Sequence, residues 1–340
     1  MESILVLTHT DEKFALTKAS LEAVTAGKEL AARIGAELTI GIVAKHATIP
    51  AGHLAGATKR VLAVQGEAFA QPRFASDAAA CEALWRATLA TIVVAPDSSR
   101  FARVMAAVAY RVGGAIDTHV TAIGGTENIE VSRWFYRQRI ESVLTRDKRP
   151  WFLMLDSGTN AAFTSDEPQP QPAEIAVTAV LPELRTQVIG LKAAETSAQT
   201  IRPDAKLLFV AGAGWTRKQA DGQTHAAEAA NLILGFINAA GASLGSSKSL
   251  VDQGSDGQPV LPFLTHMNQV GQTGSTPRHA KGLSTCCHGE EPHVVGWRFI
   301  GERRAISLDP NCGWTRGKAD VVYIADAFKV IAKVNELLAG

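Results

Sequence analysis

Short runs rich in β-branched residues alternate with longer stretches of helical period along most of this chain, and that rhythm confines it to α/β architectures. SILVLTH (Ser3 to His9) is followed by the Ala-rich stretch Leu21 to Ile34 and then by AELTIGIVA, Ala36 to Ala44. Two apolar runs can pair in parallel only if a crossover, usually a helix, carries the chain back. The pattern therefore predicts a largely parallel sheet covered by helices. VLAV (Val61 to Val64), TIVVAP (Thr91 to Pro96) and HVTAIG (His119 to Gly124) continue it, each short and followed by polar residues or glycine. Beyond them the pattern changes. Trp134 to Leu144, WFLML (Trp151 to Leu155) and EIAVTAV (Glu174 to Val180) are expected to form a meander, broken by EPQPQP at Glu167 to Pro172. The three prolines of that run cannot sit in a central strand, so it is read as an exposed loop.

A chain of 340 residues exceeds the usual size of one hydrophobic core, so two domains are expected. The α/β pattern restarts after TIRPDAK, Thr200 to Lys206, with the buried run LLFVAGAG. His225 to Ser243 places Ala226, Ala230, Ile233 and Ile237 at helical spacing and closes on glycine, as a helix packed on a sheet does. HVVGWRFI, RRAISLDP and DVVYIA (Asp320 to Ala325) are further strand candidates, and Phe328 to Leu338 reads as an amphipathic terminal helix. The expected organisation is a doubly wound α/β domain over 1–200 and a Rossmann-like domain with a parallel sheet over 201–340.

Composition removes several function classes. The 34 basic and 33 acidic residues leave a net charge of +1, so nothing electrostatic favours a nucleic acid or an acidic membrane surface as partner. The apolar run near the start, Ile4 to Leu7, is too short for a signal peptide or anchor, and no stretch approaches a bilayer span. With four cysteines (Cys81, Cys286, Cys287, Cys312) and no export signal, free thiols in the cytoplasm are expected. Cys286, Cys287 and His288 invite a metal reading, but adjacent side chains on an extended segment point to opposite faces, and buried thiols are the simpler expectation. VAGAGWTR, Val210 to Arg217, has two glycines of a dinucleotide fingerprint and lacks the third, where Arg217 stands.

The run NQVGQTGS, Asn268 to Ser275, carries the strongest ligand signal. Gly271 and Gly274 allow close approach of the backbone or a positive φ, while Gln272 and Thr273 present uncharged donors and acceptors. VAGAG, GASLGSSKSLVD, QVGQTG, HGEEPHVVG, AISLDP and ADVVYIADAFKVI follow one another in an order and spacing that resemble the FAD-binding domain of the electron transfer flavoprotein α subunit. The opening, ILVLTH followed by LEAVTAGKELA and a strand, is similar to that family's start.

The resemblance implies an FAD-bearing electron carrier. Its partners would be an electron transfer flavoprotein β subunit in a heterodimer, a flavin-dependent dehydrogenase as electron donor, and a quinone oxidoreductase or another acceptor. It assigns cofactor contacts to Ser247 and Lys248, the latter standing where the family has arginine. Val270, Gly271, Gln272 and Thr273 match the family's VGQT, with the Thr273 hydroxyl directed to the flavin N5. The next loop falls on His288, Gly289, Glu290, Glu291, Pro292 and His293, of which the family keeps the glycine and the last histidine, placed at the flavin C2 carbonyl. Ser307 replaces an asparagine, and Asp326 with Ala327 supplies the late acidic position. Lys248 alternatively reads as a cation in a helix C-terminal region, where it suits the helix dipole. The departures, Gly214 in place of an arginine and two glutamates in the second loop, motivate an alternative: an electron-transfer-flavoprotein-like subunit whose flavin binding is lost or altered, serving in nucleotide binding or assembly.

Overall fold

A computed structural model describes residues 2–47, 51, 53–126, 128–135, 140–165, 172–190, 201–202, 205–252, 259–270, 279–285, 300–311 and 319–340. The chain forms two compact units, Met1–Leu191 and Lys192–Gly340.

In the first unit, β1 (Ser3–His9) is followed by helix α1 (Lys18–Ile34), β2 (Glu37–Ala44) and β3 (Arg60–Gln65). Helix α2 (Phe74–Thr88), β4 (Ile92–Pro96), the short helix α3 (Ser99–Ala102) and α4 (Met105–Arg111) come next. The remaining strands are β5 (Ala115–Gly124), β6 (Glu130–Phe135), β7 (Ile140–Leu144), β8 (Trp151–Leu155) and β9 (Ala173–Ala176). Their order in one sheet is β7-β6-β5-β8-β4-β1-β2-β3-β9. β6 and β7 run antiparallel to their neighbours, and the other pairings are parallel.

Local chemistry explains these elements. Thr17 caps α1 by accepting from the Ser20 amide, and Gly35 closes the helix in the left-handed region at φ 64. Gly27 brings α1 onto the sheet: a Cβ there would lie 2.2 Å from Val6 Cγ2. One apolar layer, with Ile4, Val6, Val24, Leu30, Ile40 and Leu153, fills the α1 side, and a second, with Leu5, Leu7, Leu84, Phe101 and Phe152, fills the other. The doubly wound α/β expectation therefore holds for this unit. The expected meander is corrected: only β5, β6 and β7 follow one another that way, whereas β8 inserts in parallel between β5 and β4, and β9 pairs with β3 at the far edge. All five β8 residues are buried, as a strand covered on both faces must be.

The second unit contains β10 (Leu207–Ala211), α5 (Ala226–Ala240), β11 (Ser243–Ser246), the short helix α6 (Lys248–Asp252), β12 (His279–Thr285), β13 (Ile300–Ser307), β14 (Val321–Ile324) and α7 (Ala327–Ala339). Five parallel strands are ordered β11-β10-β12-β13-β14. The chain winds from β10 to β11 on one side and then returns to lay β12, β13 and β14 on the other. Sheets wound in this way bind ligands beyond the carboxyl ends of the strands, near the point of reversal.

Candidate functional site

The carboxyl edge of the second sheet is assembled by backbone contacts between neighbouring strand ends. The Gly212 amide donates to the Thr285 carbonyl at 2.8 Å, that of Ser247 to the Ala211 carbonyl at 2.8 Å, and that of Ala325 to the Ser307 carbonyl at 3.1 Å. Four strand spacings separate β11 from β14, so this edge is about 19 Å long. That length suits an extended dinucleotide better than a single nucleotide.

After β10 the chain turns through Ala213–Thr216 as one short 3-10 turn. Trp215 is fully buried there; its Nε1 donates to the Thr285 hydroxyl at 2.8 Å, and its ring packs on Phe328 at 4.5 Å between centroids. No α-helix starts at this turn, since α5 begins only at Ala226. The incomplete glycine fingerprint thus lacks the helix N-terminus on which a Rossmann pyrophosphate rests.

The entry to the QVGQTG run is also well defined. Thr265 and Asn268 form a reciprocal cap, Asn268 Nδ2 donates to the Leu244 carbonyl at 3.2 Å, and the Val270 amide donates to the Ser246 carbonyl at 2.9 Å. Gly245 makes room for this segment, because a Cβ there would lie 2.5 Å from Val270 Cγ2. Val270 is buried against Leu208, Val210 and Ile300.

The structure brings Ser247, Val270, Ser307, Asp326 and Ala327 to this same edge. Ser247 is buried, and its hydroxyl accepts from the Leu250 amide at 3.2 Å. The Ser307 hydroxyl meets both the amide and the carbonyl of Asp309 at 3.1 Å. Asp326 caps α7 through the Phe328 amide at 2.9 Å, and Ala327 is buried beneath it. Lys248 is 57% exposed and lies 3.8 Å from Asp252. It opens α6 rather than closing a helix, so the expected dipole role is corrected: a cation at a helix N-terminus opposes the dipole. Gly271, Gln272, Thr273, His288, Gly289, Glu290, Glu291, Pro292 and His293 lie outside the described residues, as do Cys286, Cys287 and Cys312.

Three residues that sequence reasoning did not single out join the edge. Ser246 Oγ, Gln269 Oε1 and Ser284 Oγ are buried without a hydrogen-bond partner. Each such atom costs roughly 1–3 kcal/mol, and a native fold keeps few of them unless something satisfies them. Ser246 ends β11 and Ser284 is the next-to-last residue of β12, on either side of β10, and Gln269 pairs with Ser246 across an isolated bridge. Uncharged polar atoms at the end of a wound sheet can serve a ligand rich in amide and carbonyl groups. Ser246 and Gln269 lie within GASLGSSKSLVD and QVGQTG, but neither motif marks them individually, and Ser284 lies in no motif.

A family model for the electron transfer flavoprotein domain matches residues 4–182, more than half of the 340-residue chain. The chain belongs to the electron transfer flavoprotein family. A search of curated proteins finds no match. The matched span lies within the first unit, so the electron transfer flavoprotein domain of this chain is its nine-stranded, doubly wound sheet with the helices on it. The family is associated with flavin and with electron-transfer complexes. Among the described residues, no helix of this family member is long and apolar enough to cross a membrane.

Proposed function

We propose that this chain is an α-type subunit of an electron transfer flavoprotein, carrying FAD on its second unit and working as a heterodimer with a β subunit. It would take electrons from a flavin-dependent dehydrogenase and deliver them to a quinone oxidoreductase or another acceptor. The observation that supports this reading best is the edge where Ser246, Gln269 and Ser284 keep buried polar atoms unpaired beside Ser247, Ser307 and Asp326. Bound FAD would supply reversible electron uptake.

The work of the chain's own residues is to hold the cofactor and to bias its charge. Ser246, Ser247, Gln269 and Ser284 would offer neutral donors and acceptors, which bind without fixing a charge state. Lys248 would add positive potential, attenuated by Asp252 at 3.8 Å. By the resemblance, Thr273 and His293 would donate to the two ends of the ring where negative charge collects on reduction.

Adding FAD to the purified chain should give a yellow protein retaining close to one flavin per chain through gel filtration. A colourless chain that leaves flavin fluorescence unquenched overturns the reading, and if that chain still pairs with a β subunit the assembly role takes its place. In the loaded protein, Lys248→Met should lower the flavin reduction potential and Lys248→Arg should change it less. An unchanged potential in the Met variant removes Lys248 from the site.

A further inference from the structure

The first unit gathers a second set of ligating side chains at the carboxyl edge of its own sheet. Strands β4, β8 and β5 lie side by side there; Asp97 leaves β4, Asp156 leaves β8, and His119 stands within β5. His119 Nδ1 is 3.2 Å from Asp156 Oδ1 and 3.5 Å from Asp97 Oδ2. One ligand atom from each residue lies within 4.8 Å of the other two.

The strand frame imposes this meeting. The Asp97 amide donates to the Leu155 carbonyl and the Asp156 amide to the Val120 carbonyl, both at 2.9 Å. Against β8, Asp117 stands opposite Leu153 while Val120 stands opposite Leu155, so β5 carries one extra residue at this point. His119 sits in that bulge at φ 56, a backbone conformation that residues with a Cβ seldom adopt. Its amide donates to Asp97 Oδ2 at 3.3 Å, which holds the first carboxylate beside the ring.

The three groups differ in exposure. The two carboxylate side chains are only 11% and 17% exposed, whereas the imidazole is 55% exposed on the outer side. Arg133, whose charge reaches His119, is committed to Asp117 at 2.8 Å. A protonated His119 brings one positive charge. A divalent ion brings two, uses the imidazole in its neutral form, and still keeps outward positions for water.

We propose that Asp97, His119 and Asp156 form a binding site for a first-row divalent transition-metal ion such as Zn2+. Two carboxylate oxygens and one imidazole nitrogen suit that class, whereas Ca2+ and Mg2+ take oxygen ligands and softer ions take thiolates.

The full chain, stripped of metal, should bind one equivalent of Co2+ with visible ligand-field absorption and no thiolate charge-transfer band, and Zn2+ should displace it. His119→Gln and Asp156→Asn should each weaken binding at least about tenfold, the loss expected even for an outer-shell partner. Because His119 is the most exposed of the three, His119→Gln keeps the test decisive if Asp156→Asn fails to fold. Absence of Co2+ binding overturns the proposal and leaves the imidazolium as the counter-charge. Binding with a thiolate band, or binding unchanged in His119→Gln, overturns it by placing the ion elsewhere.

Discussion

Asp77→Ala should destabilise the first unit by about 3–5 kcal/mol, because it leaves a buried guanidinium without its counter-charge. Arg100, at the start of α3, grips Asp77 of α2 with both arms: Nη2 to Oδ1 at 2.6 Å and Nε to Oδ2 at 3.0 Å. Both side chains are nearly out of water, at 6% and 1% exposure. Arg100 Nη2 also donates to the Phe69 carbonyl, and Asp77 accepts from the amide of Arg73 at the start of its own helix, so the pair ties three chain segments together. Burial pushes the Asp77 carboxyl up and the Arg100 guanidinium draws it down only in part, as expected of a pair whose desolvation consumes much of its attraction. Asp77→Leu combined with Arg100→Met should therefore recover most of the loss. Denaturant unfolding followed by circular dichroism reads the effect as a lowered midpoint at unchanged slope. A loss below about 1 kcal/mol would show that the pair is as weak as an exposed one.

Acidification from pH 7 should cost the wild-type chain up to about 3 kcal/mol more than it costs a His9→Asn variant. Burial, aided by Arg100, lowers the His9 imidazole from 6.5 to about 4. The neutral ring is well served: Nδ1 lies 3.1 Å from the Thr10 carbonyl and Nε2 lies 2.8 Å from the Ser98 hydroxyl, so one nitrogen donates and the other accepts. The unfolded chain takes its proton as the pH falls through 6.5, while the folded chain refuses until about 4. Over that window protonation favours unfolding, and the stability lost grows until the folded pKa is passed. Melting temperature measured against pH for both proteins checks this, and parallel curves would remove His9 as the cause.

Local periodicity made most of the strands legible and left their order unread. SILVLTH and AELTIGIVA carry their own β-branched signal, and both became neighbouring parallel strands. WFLML carries the same signal, yet nothing within five residues says whether a strand joins a meander or enters the middle of a sheet. SLGS went unread because a four-residue run with one leucine among serines and glycine has little β propensity; its burial at the sheet's edge comes from the tertiary fold. In the candidate site, Ser307 and Asp326 were legible only through the family resemblance of the AISLDP and ADVVYIADAFKVI segments. That Ser246, Gln269 and Ser284 carry unpaired oxygens was not, since an unpaired buried oxygen is defined only by what surrounds it. Asp97, His119 and Asp156 are far apart in sequence, and the extra residue in β5 that unites them leaves no compositional trace.

The place of β8 between β4 and β5 also bears on how the first unit is synthesised. Residues 92–96 and 115–124 emerge from the ribosome well before Trp151–Leu155, and the β6–β7 hairpin is made in between. Until β8 arrives, β4 and β5 each present a row of unpaired backbone groups to the cell, flanked by apolar residues such as Val93, Val94 and Ile116. The pairing of Arg60 with Ala173 comes later still. A nascent chain halted before Trp151 would thus leave the facing edges of β4 and β5 open together with that of β3, and occupancy by a chaperone should be greatest over that interval of translation.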